Sequence, residues 1–388
     1  MKLEFYNCPS PADITQFKLP ETPGFVKYAP DFEVMKKQAE KYQQFENLLI
    51  VGHGGSLNTV AGFCEPYKNQ LTKKVFYLST IDPDYVFELK QKLKKENTLV
   101  IAISKSGENT TQIEALSQFM DFPLLIITGS SSPLRAMAEK LKADIVLHPS
   151  IGGRYTSFTE VGLLPAMIAG LDAEDLYKGA KTFYYLYEKD NLAWRAASTL
   201  NILEQKGYVD VFMPFYTHNL FQISSLIVQL CHESFGKAGL GQTYFAHEAP
   251  ESQHHTNQRF FGGRKNICGF FMTAESFAHQ VASSYPPALH SVQIKGHHLA
   301  DINKIPLDIA LDYEAGATME DARINSIPVA HLSINNFSFG EVGAFTAFWQ
   351  LFAVYSSVLR NVDPFDQPQV ENSKKISFNK RLQYKGLL

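Results

Sequence analysis

The chain has 388 residues, 45% of them apolar, so it is long enough for about two domains with complete hydrophobic cores. Its 36 basic and 39 acidic residues give a formal net charge of -3, which provides no basic field for a nucleic acid or an anionic membrane. The four cysteines are widely spaced and no apolar run predicts a signal sequence or a membrane span, so we expect reduced thiols, a cytosolic location and a small-molecule ligand.

The first half of the chain alternates predicted strands with predicted helices. Residues 1–45 lack sustained periodicity until DFEVMKKQAEKYQQF, so we expect an N-terminal arm and one helix there. Short apolar runs, separated by turn residues or amphipathic stretches, then predict five strands: NLLIVG, KKVFYLS, TLVIAIS, PLLIIT and DIVLHP. This alternation predicts a parallel sheet covered by helices, and we place the first domain at 46–180.

A long polar helical stretch, AEDLYKGAKTFYYLYEKDNLAWRAASTLNILEQKG, follows and is predicted to connect two domains. Beyond it, strands are predicted at YVDVFMPF, NICGFFMT and PVAHLSI, with helices between and after them. We therefore expect the connector and a second α/β domain at 181–362, followed by a C-terminal tail at 363–388.

The clearest candidate for binding a phosphate is the segment from Ile103 to Thr111, ISKSGENTT. It follows a buried strand and opens a helix, where backbone N–H groups and hydroxyls suit a phosphate dianion. The ordinary alternative is a Ser-rich helix cap. No G-x-x-x-x-G-K-[ST] motif is present, so nucleoside triphosphate chemistry is not indicated.

A second strand-to-helix loop, VGHGGSLNT, contains three glycines that allow a close approach of the backbone to a ligand. Such loops are common in α/β proteins whatever they bind, so this signal is weak on its own.

Gln229 and Glu233 are four residues apart and share one face of an otherwise apolar predicted helix. A carboxylate in this position suits a general base. The alternative is an exposed carboxylate at the helix end paired with Lys237.

The segment FAHEAPESQHHTNQ combines histidines with glutamates, which raises the question of a metal site. The residues concerned are His247, Glu251, His254 and His255. We predict no metal here, because the segment is irregular, contains Pro250 and lacks the fixed spacing of a ligand motif.

Six motifs together resemble the phosphoglucose isomerase family, whose members have two sugar-isomerase (SIS) domains. In chain order they are VGHGGS, ISKSG, GGRYTSFTEVGLLPA, QLCHESFGK, SQHHTNQ and PFDQPQVENSKK, and they extend from about Gly52 to Lys375. The resemblance implies two SIS-type three-layer α-β-α sandwich domains with mainly parallel sheets.

The resemblance also implies the roles of individual residues. Glu233 matches the catalytic base, Arg154 the arginine beside the reacting carbons, and His254 the ring-opening histidine, although His255 is adjacent. Lys374 matches the active-site lysine of the tail, seven residues after Gln367, so both would share a face if this segment is helical. The implied substrate- and phosphate-binding residues are Gly55, Ser56, Ser104, Lys105, Ser106, Asn109 or Thr110, Gln229 and Gln367.

The implied activity is the interconversion of glucose 6-phosphate and fructose 6-phosphate through an enediol, in glycolysis and gluconeogenesis, without a metal or another cofactor. The implied assembly is a homodimer with shared active sites. Two alternatives stay open: an isomerase that also accepts mannose 6-phosphate, and a non-catalytic phosphosugar-binding regulator built from SIS domains.

Two positions depart from the family pattern. His53 stands where an apolar residue is usual, and the phosphate loop reads SKSGENTT rather than SKSGTT. Because a carboxylate facing a phosphate would repel it, we expect Glu108 to point outward.

Overall fold

A computed structural model describes all residues from Met1 to Leu388. The chain forms twelve strands: β1 (Lys2–Tyr6), β2 (Asn47–Gly52), β3 (Lys74–Leu78), β4 (Thr98–Ser104), β5 (Leu124–Thr128), β6 (Asp144–Leu147), β7 (Asp210–Phe215), β8 (Thr243–Glu248), β9 (Ile267–Ala274), β10 (Gln293–Ile294), β11 (His297–His298) and β12 (Val329–Ile334). All eight strands predicted from apolar runs are present.

The α-helices lie before, between and after the strands. They are α1 (Gly24–Lys27), α2 (Phe32–Glu40), α3 (Gly55–Cys64), α4 (Pro83–Lys92), α5 (Thr110–Leu116), α6 (Pro133–Leu141), α7 (Glu160–Ile168), α8 (Ala173–Tyr184), α9 (Leu192–Gln205), α10 (His218–Phe221), α11 (Ser224–Phe235), α12 (Thr256–Gly262), α13 (Leu307–Ile324), α14 (Phe339–Leu359) and α15 (Glu371–Tyr384).

Two five-stranded sheets organise the molecule. The first has the order β3-β2-β4-β5-β6, and all its strands are parallel. The second has the order β1-β12-β9-β7-β8, and only β1 runs antiparallel to its neighbour. The predicted α/β class with mainly parallel sheets is confirmed.

Three hydrophobic cores cover the four sheet faces. The largest contains 65 buried residues and lies between the sheets, because it includes Ile50 and Ile101 of the first together with Met213 and Phe270 of the second. Smaller cores of 13 and 10 residues fill the outer faces, under α4 to α6 and under α12 and α13. Each sheet is therefore sandwiched between helices, and one continuous core joins the two halves.

Three segments differ from the sequence-based expectation. The predicted N-terminal arm contains β1, which completes the second sheet by pairing with β12. The segment around Phe245 was predicted to be irregular, but it forms the edge strand β8 and then helix α12. The predicted polar connector is two helices, α8 and α9, and both bury extensive faces because they pack against α14.

Helix α14 is the centre of the large core. It is long and apolar enough to cross a membrane, with a mean hydropathy of 1.4 over 18 residues, but 83% of that window is buried inside the protein. Burial among helices and a sheet accounts for its apolar character, since a helix that is hydrophobic all round occupies the interior of a large domain.

Glycines allow α8 and α14 to touch backbone to backbone. A Cβ atom on Gly343 would lie 2.0 Å from the Leu176 carbonyl oxygen, and one on Gly179 would lie 1.9 Å from that of Gly340. A side chain at either position would push the two helices apart.

We predict that Gly343→Ala lowers the free energy of unfolding by about 1–3 kcal/mol or more, as overpacking of a dense core does. The matched control is Gly316→Ala in α13, where nothing lies within 4 Å of the added carbon. This control should gain about 0.5–1 kcal/mol because alanine favours a helix over glycine. Urea unfolding of both variants measures the difference, and equal stability would contradict the close packing of α8 on α14.

Candidate active site

The candidate site lies at the carboxyl edge of the first sheet. β2 and β4 are adjacent parallel strands, so the loops that follow them, 53–54 and 105–109, lie side by side. The first loop is linked to the start of α5, which follows the second loop, because His53 Nε2 lies 3.4 Å from Thr111 Oγ1. Burial lowers the pKa of His53, which favours its neutral form.

The glycines of the first loop allow other segments of the protein to approach its backbone closely. Gly54 has φ +54°, and a Cβ atom there would lie 2.7 Å from Gln229 Nε2. A Cβ atom on Gly55 would lie 2.2 Å from the Gly153 carbonyl carbon. Glycine is therefore required at both positions for the loop to reach α11 and the segment that carries Arg154.

The predicted phosphate loop forms a tight turn at the end of β4. Ser104 is buried, and its hydroxyl accepts a hydrogen bond of 3.1 Å from the Gly107 N–H. Gly107 has φ +62°, and a side chain there would collide with Ser132. Lys105 and Ser106 are exposed beside this turn, so both are open to a ligand.

Beyond the turn, Asn109 caps helix α5. Its Oδ1 accepts hydrogen bonds from the Gln112 N–H at 3.3 Å and from the Thr111 hydroxyl at 2.7 Å. The Thr110 hydroxyl makes no hydrogen bond to another protein group, so it is the better placed of the two predicted ligands. Glu108 is exposed, and its expected outward orientation stays a prediction.

Glu233 lies on α11 and is held from two sides. Its Oε1 accepts a hydrogen bond of 3.2 Å from Gln229 Nε2, and its Oε2 lies 3.2 Å from Arg154 Nη1. Asn58 donates to Gln229 Oε1 at 2.9 Å and so fixes the orientation of that amide. The Glu233 side chain is 33% exposed, so the carboxylate is ordered and also accessible to a ligand.

Arg154 uses all five of its N–H donors within the protein. Nε donates to Ser234 Oγ at 2.9 Å, and Nη1 donates to Glu233 and to Gln367 Oε1 at 2.7 Å. Nη2 donates to the carbonyls of Pro364 at 2.6 Å and Asp366 at 3.0 Å. The side chain is only 2% exposed, so this arrangement compensates for the loss of water around the cation.

Sequence reasoning missed two groups that orient Arg154 and Gln229. Ser234 contacts both Arg154 and the Tyr155 hydroxyl, which lies 2.8 Å from it. Burial raises the pKa of Tyr155 to about 12, so the phenol stays protonated. Asn58 is the second such group. Ser234 follows Glu233 and Asn58 follows the glycine loop, so proximity to the motifs is the only signal in the sequence.

Two side-chain arrangements that the sequence left open are not observed. Lys237 does not pair with Glu233, because its ammonium group contacts Asp366 Oδ1 at 2.6 Å. Gln367 and Lys374 do not share a helix face, since Gln367 lies before a short 3₁₀ turn and α15 begins only at Glu371. Lys374 is 58% exposed and pairs with Glu371 at 2.7 Å, away from Glu233.

His254 lies at the end of a 3₁₀ turn, and its side chain is exposed. No hydrogen bond or ion pair joins it to Glu233, Arg154 or Gln229 within the chain. The neighbouring His255 turns instead towards His247, with ring centroids 5.0 Å apart. The structure contains no group of three or more His, Cys, Asp or Glu side chains that could hold a metal ion.

The chain is similar in sequence to glucose-6-phosphate isomerases along nearly its whole length. It is 24% identical to the probable glucose-6-phosphate isomerase of Methanococcus maripaludis over 409 residues, which covers 97% of this chain and 89% of the relative. It is 27% identical to the glucose-6-phosphate isomerase of Streptococcus mutans, covering 90% and 83% of the two chains. The predicted resemblance is confirmed. No protein-family model matches the chain.

Solved structures support the predicted fold. A hypothetical protein from Thermus thermophilus superposes with a TM-score of 0.82 at 26% identity, covering 92% of this chain and 89% of that one. The glucose-6-phosphate isomerase of Chlamydia trachomatis gives a TM-score of 0.77 at 20% identity, covering 91% and 73%. The predicted SIS-type fold is confirmed.

We predict that Arg154→Lys lowers kcat about a hundred- to a thousandfold in an isomerase assay. Lysine keeps the charge but has only three donors, so it cannot serve five acceptors in a fixed plane. Arg360→Lys is the matched control, because Arg360 is also buried but pairs with Glu204, lies over the Phe235 ring and makes no hydrogen bond to Glu233. It should lose stability and retain kcat. Turnover of Arg154→Lys within threefold of the wild type would contradict the assignment.

Proposed function

We propose that this chain is a glucose-6-phosphate isomerase that interconverts glucose 6-phosphate and fructose 6-phosphate. The observation that carries the proposal is the ordered, partly exposed carboxylate of Glu233, held between Arg154 and Gln229, whose amide lies against Gly54 of the loop after β2. The curated relatives that bear this name add support over about 90% of the chain.

Glu233 is the proposed base. It removes the proton from C2 of the open-chain aldose while O1 gains a proton, which gives the enediol. It then returns a proton to C1 while the O2 hydroxyl loses one, so the sugar keeps its atomic composition. The phosphate is bound by Ser104, Lys105, Ser106 and Thr110, with Asn109 ordering the loop, while Gly55, Ser56, Gln229 and Gln367 line the sugar. This reaction uses protein side chains alone and no cofactor.

Arg154 supplies fixed positive charge next to the developing enediolate. Because all five of its donors are occupied, a direct hydrogen bond to the substrate has to replace one of them. Nη1 is the atom concerned, since its acceptors, Glu233 and Gln367, are side chains that can turn, whereas Nη2 is bound to backbone carbonyls.

Ring opening is assigned to His254 with the help of Lys374. Neither side chain reaches Glu233 within its own chain, and both are exposed. For His254 this is the arrangement expected if it completes the site of a second subunit. We therefore propose a cytosolic homodimer with shared active sites, acting in glycolysis and gluconeogenesis.

Exposed apolar side chains support a subunit interface in the second half of the chain, which also carries His254. The segment 275–306 exposes Val281, Leu289, Val292 and Ile294, and α13 continues this surface with Leu307, Ile309 and Tyr313. A cluster of this kind is typical of a surface that contacts another protein.

We predict that Glu233→Gln loses turnover by about a hundred- to ten-thousandfold, because it removes the base and leaves the phosphate loop intact. Fructose 6-phosphate binding, measured by calorimetry, should persist. Glu320→Gln is the control, since Glu320 pairs with Arg323 on the surface of α13.

The same assay tests the function itself. Wild-type protein is offered glucose 6-phosphate and mannose 6-phosphate separately, with and without a chelator, while fructose 6-phosphate formation is followed. Turnover of glucose 6-phosphate that survives chelation is expected. Binding without turnover would favour the regulator, and equal use of mannose 6-phosphate would favour the bifunctional enzyme.

The shared site is tested by mixing two inactive chains, Glu233→Ala and His254→Ala. In a symmetric dimer each mixed pair regains one site with both groups intact. Random pairing makes about half of the dimers mixed, so roughly a quarter of the sites should recover. Differently tagged chains verify that mixed dimers form. A mixture that contains them yet stays inactive would show that His254 acts within its own chain or has another role.

A further inference from the structure

Lys237 is a buried cation that the proposed chemistry does not use. It follows α11, its side chain is 8% exposed, and its ammonium group makes three contacts with the segment 363–367. These are the Asp363 carbonyl, the Asp366 carbonyl at 2.7 Å and Asp366 Oδ1 at 2.6 Å. All three donors of the ammonium group therefore bind one short loop.

This loop is also the one that Arg154 holds. The Asp366 carbonyl accepts from both Lys237 Nζ and Arg154 Nη2, and Gln367 next to it accepts from Arg154 Nη1. The loop thus fixes the plane of the guanidinium, and the guanidinium in turn contacts Glu233. A displacement of the loop would be transmitted directly to the proposed base.

The loop is also attached through Phe365, whose ring packs edge-on against the ring of Tyr155 with centroids 5.5 Å apart. Helix α15 follows it and buries no residue, and its ion pair to the rest of the chain joins Arg381 to Glu114. The tail that carries Gln367 and Lys374 is therefore held at one end by Lys237 and Arg154 and further along by Arg381.

We propose that Lys237 is a positioning residue, which orients Arg154 and Gln367 for isomerisation by holding the segment 363–367. The proposal rests on the proposed isomerase function. Lys237 contacts neither Glu233 nor the phosphate loop, so its effect is indirect. A misplacement of about 1 Å at a reacting group can cost on the order of a hundredfold in rate.

The test compares Lys237→Met, Lys237→Arg and Asp366→Asn with the wild type. We expect Lys237→Met to lower kcat roughly ten- to a hundredfold with KM for fructose 6-phosphate changed less than about threefold, because the phosphate loop is untouched. Lys237→Arg should recover most of the rate. The double variant Lys237→Met/Asp366→Asn should be no slower than Lys237→Met, since both changes release the same loop.

Lys73→Met is the matched control. Lys73 is a half-buried lysine that, like Lys237, donates to two backbone carbonyls, those of Gln43 and Phe45, but it lies at the amino edge of the first sheet. This variant should lose stability and retain kcat, which separates general destabilisation from positioning.

Limited trypsin digestion gives a readout that does not depend on activity. Release of the loop should speed cleavage at Lys374 and Lys375 in Lys237→Met but not in Lys73→Met.

If wild-type protein fails to turn over the sugar phosphate, the proposed function is wrong. If the wild type is active and Lys237→Met keeps its kcat within twofold, or if the double variant multiplies the two losses, the positioning role is wrong. Should Lys237→Met fail to fold, Asp366→Asn carries the same comparison.

Discussion

A guanidinium enclosed in protein needs an acceptor for each of its five N–H groups, and the arrangement around Arg154 satisfies this requirement from two distant parts of the chain. Glu233 and Ser234 come from α11, and the remaining acceptors come from the segment 364–367. Arg154 itself belongs to the first half. A single cation thus brings together the first half, the second half and the tail, and the geometry of the site depends on it.

The hydrophobic core between the two sheets holds the two halves of the chain in fixed positions around Arg154. Because 65 buried residues form one cluster between the sheets, α11 of the second half is packed directly against α3 of the first. Gly54 and Gly55 remove the side chains that would otherwise separate these elements. The candidate base Glu233 is therefore carried on a helix whose position is fixed by packing. Arg154, from the first half of the chain, reaches it through a direct side-chain contact.

The sequence predicted the central strands well for a physical reason. A parallel strand buried on both faces needs an unbroken apolar run, and NLLIVG and TLVIAIS are such runs. Strands β1 and β8 were missed because KLEFY and TYFAHE mix polar with apolar residues, whereas β3 and β6, which also lie at a sheet edge, keep the apolar runs VFYL and IVL. A strand that is buried on only one face needs fewer apolar residues, so its sequence is harder to recognise as a strand.

The site was predictable only in part. Helical spacing placed Gln229 and Glu233 on one face, and the structure has them in contact. The same spacing left open a pairing of Glu233 with Lys237, but the partner of Lys237 is Asp366, 129 residues away in the chain. Local periodicity describes which residues share a face, whereas a long-range ion pair depends on the tertiary fold. The role of Arg154 came from the resemblance and from no local pattern.

The pairing of β1 with β12 has a consequence for synthesis on the ribosome. Residues 2–6 are translated about 320 residues before the strand with which they pair, as the partners Tyr6 and Val329 show. At about 5–20 residues per second, the nascent segment waits on the order of tens of seconds for its partner. During that interval it is an unpaired strand, and the charges of Lys2 and Glu4, which stay exposed in the finished sheet, protect it against pairing with other nascent chains. The second half therefore completes its sheet only after β12 has been translated, and the site is assembled later still, because Arg154 also needs acceptors from the segment 364–367.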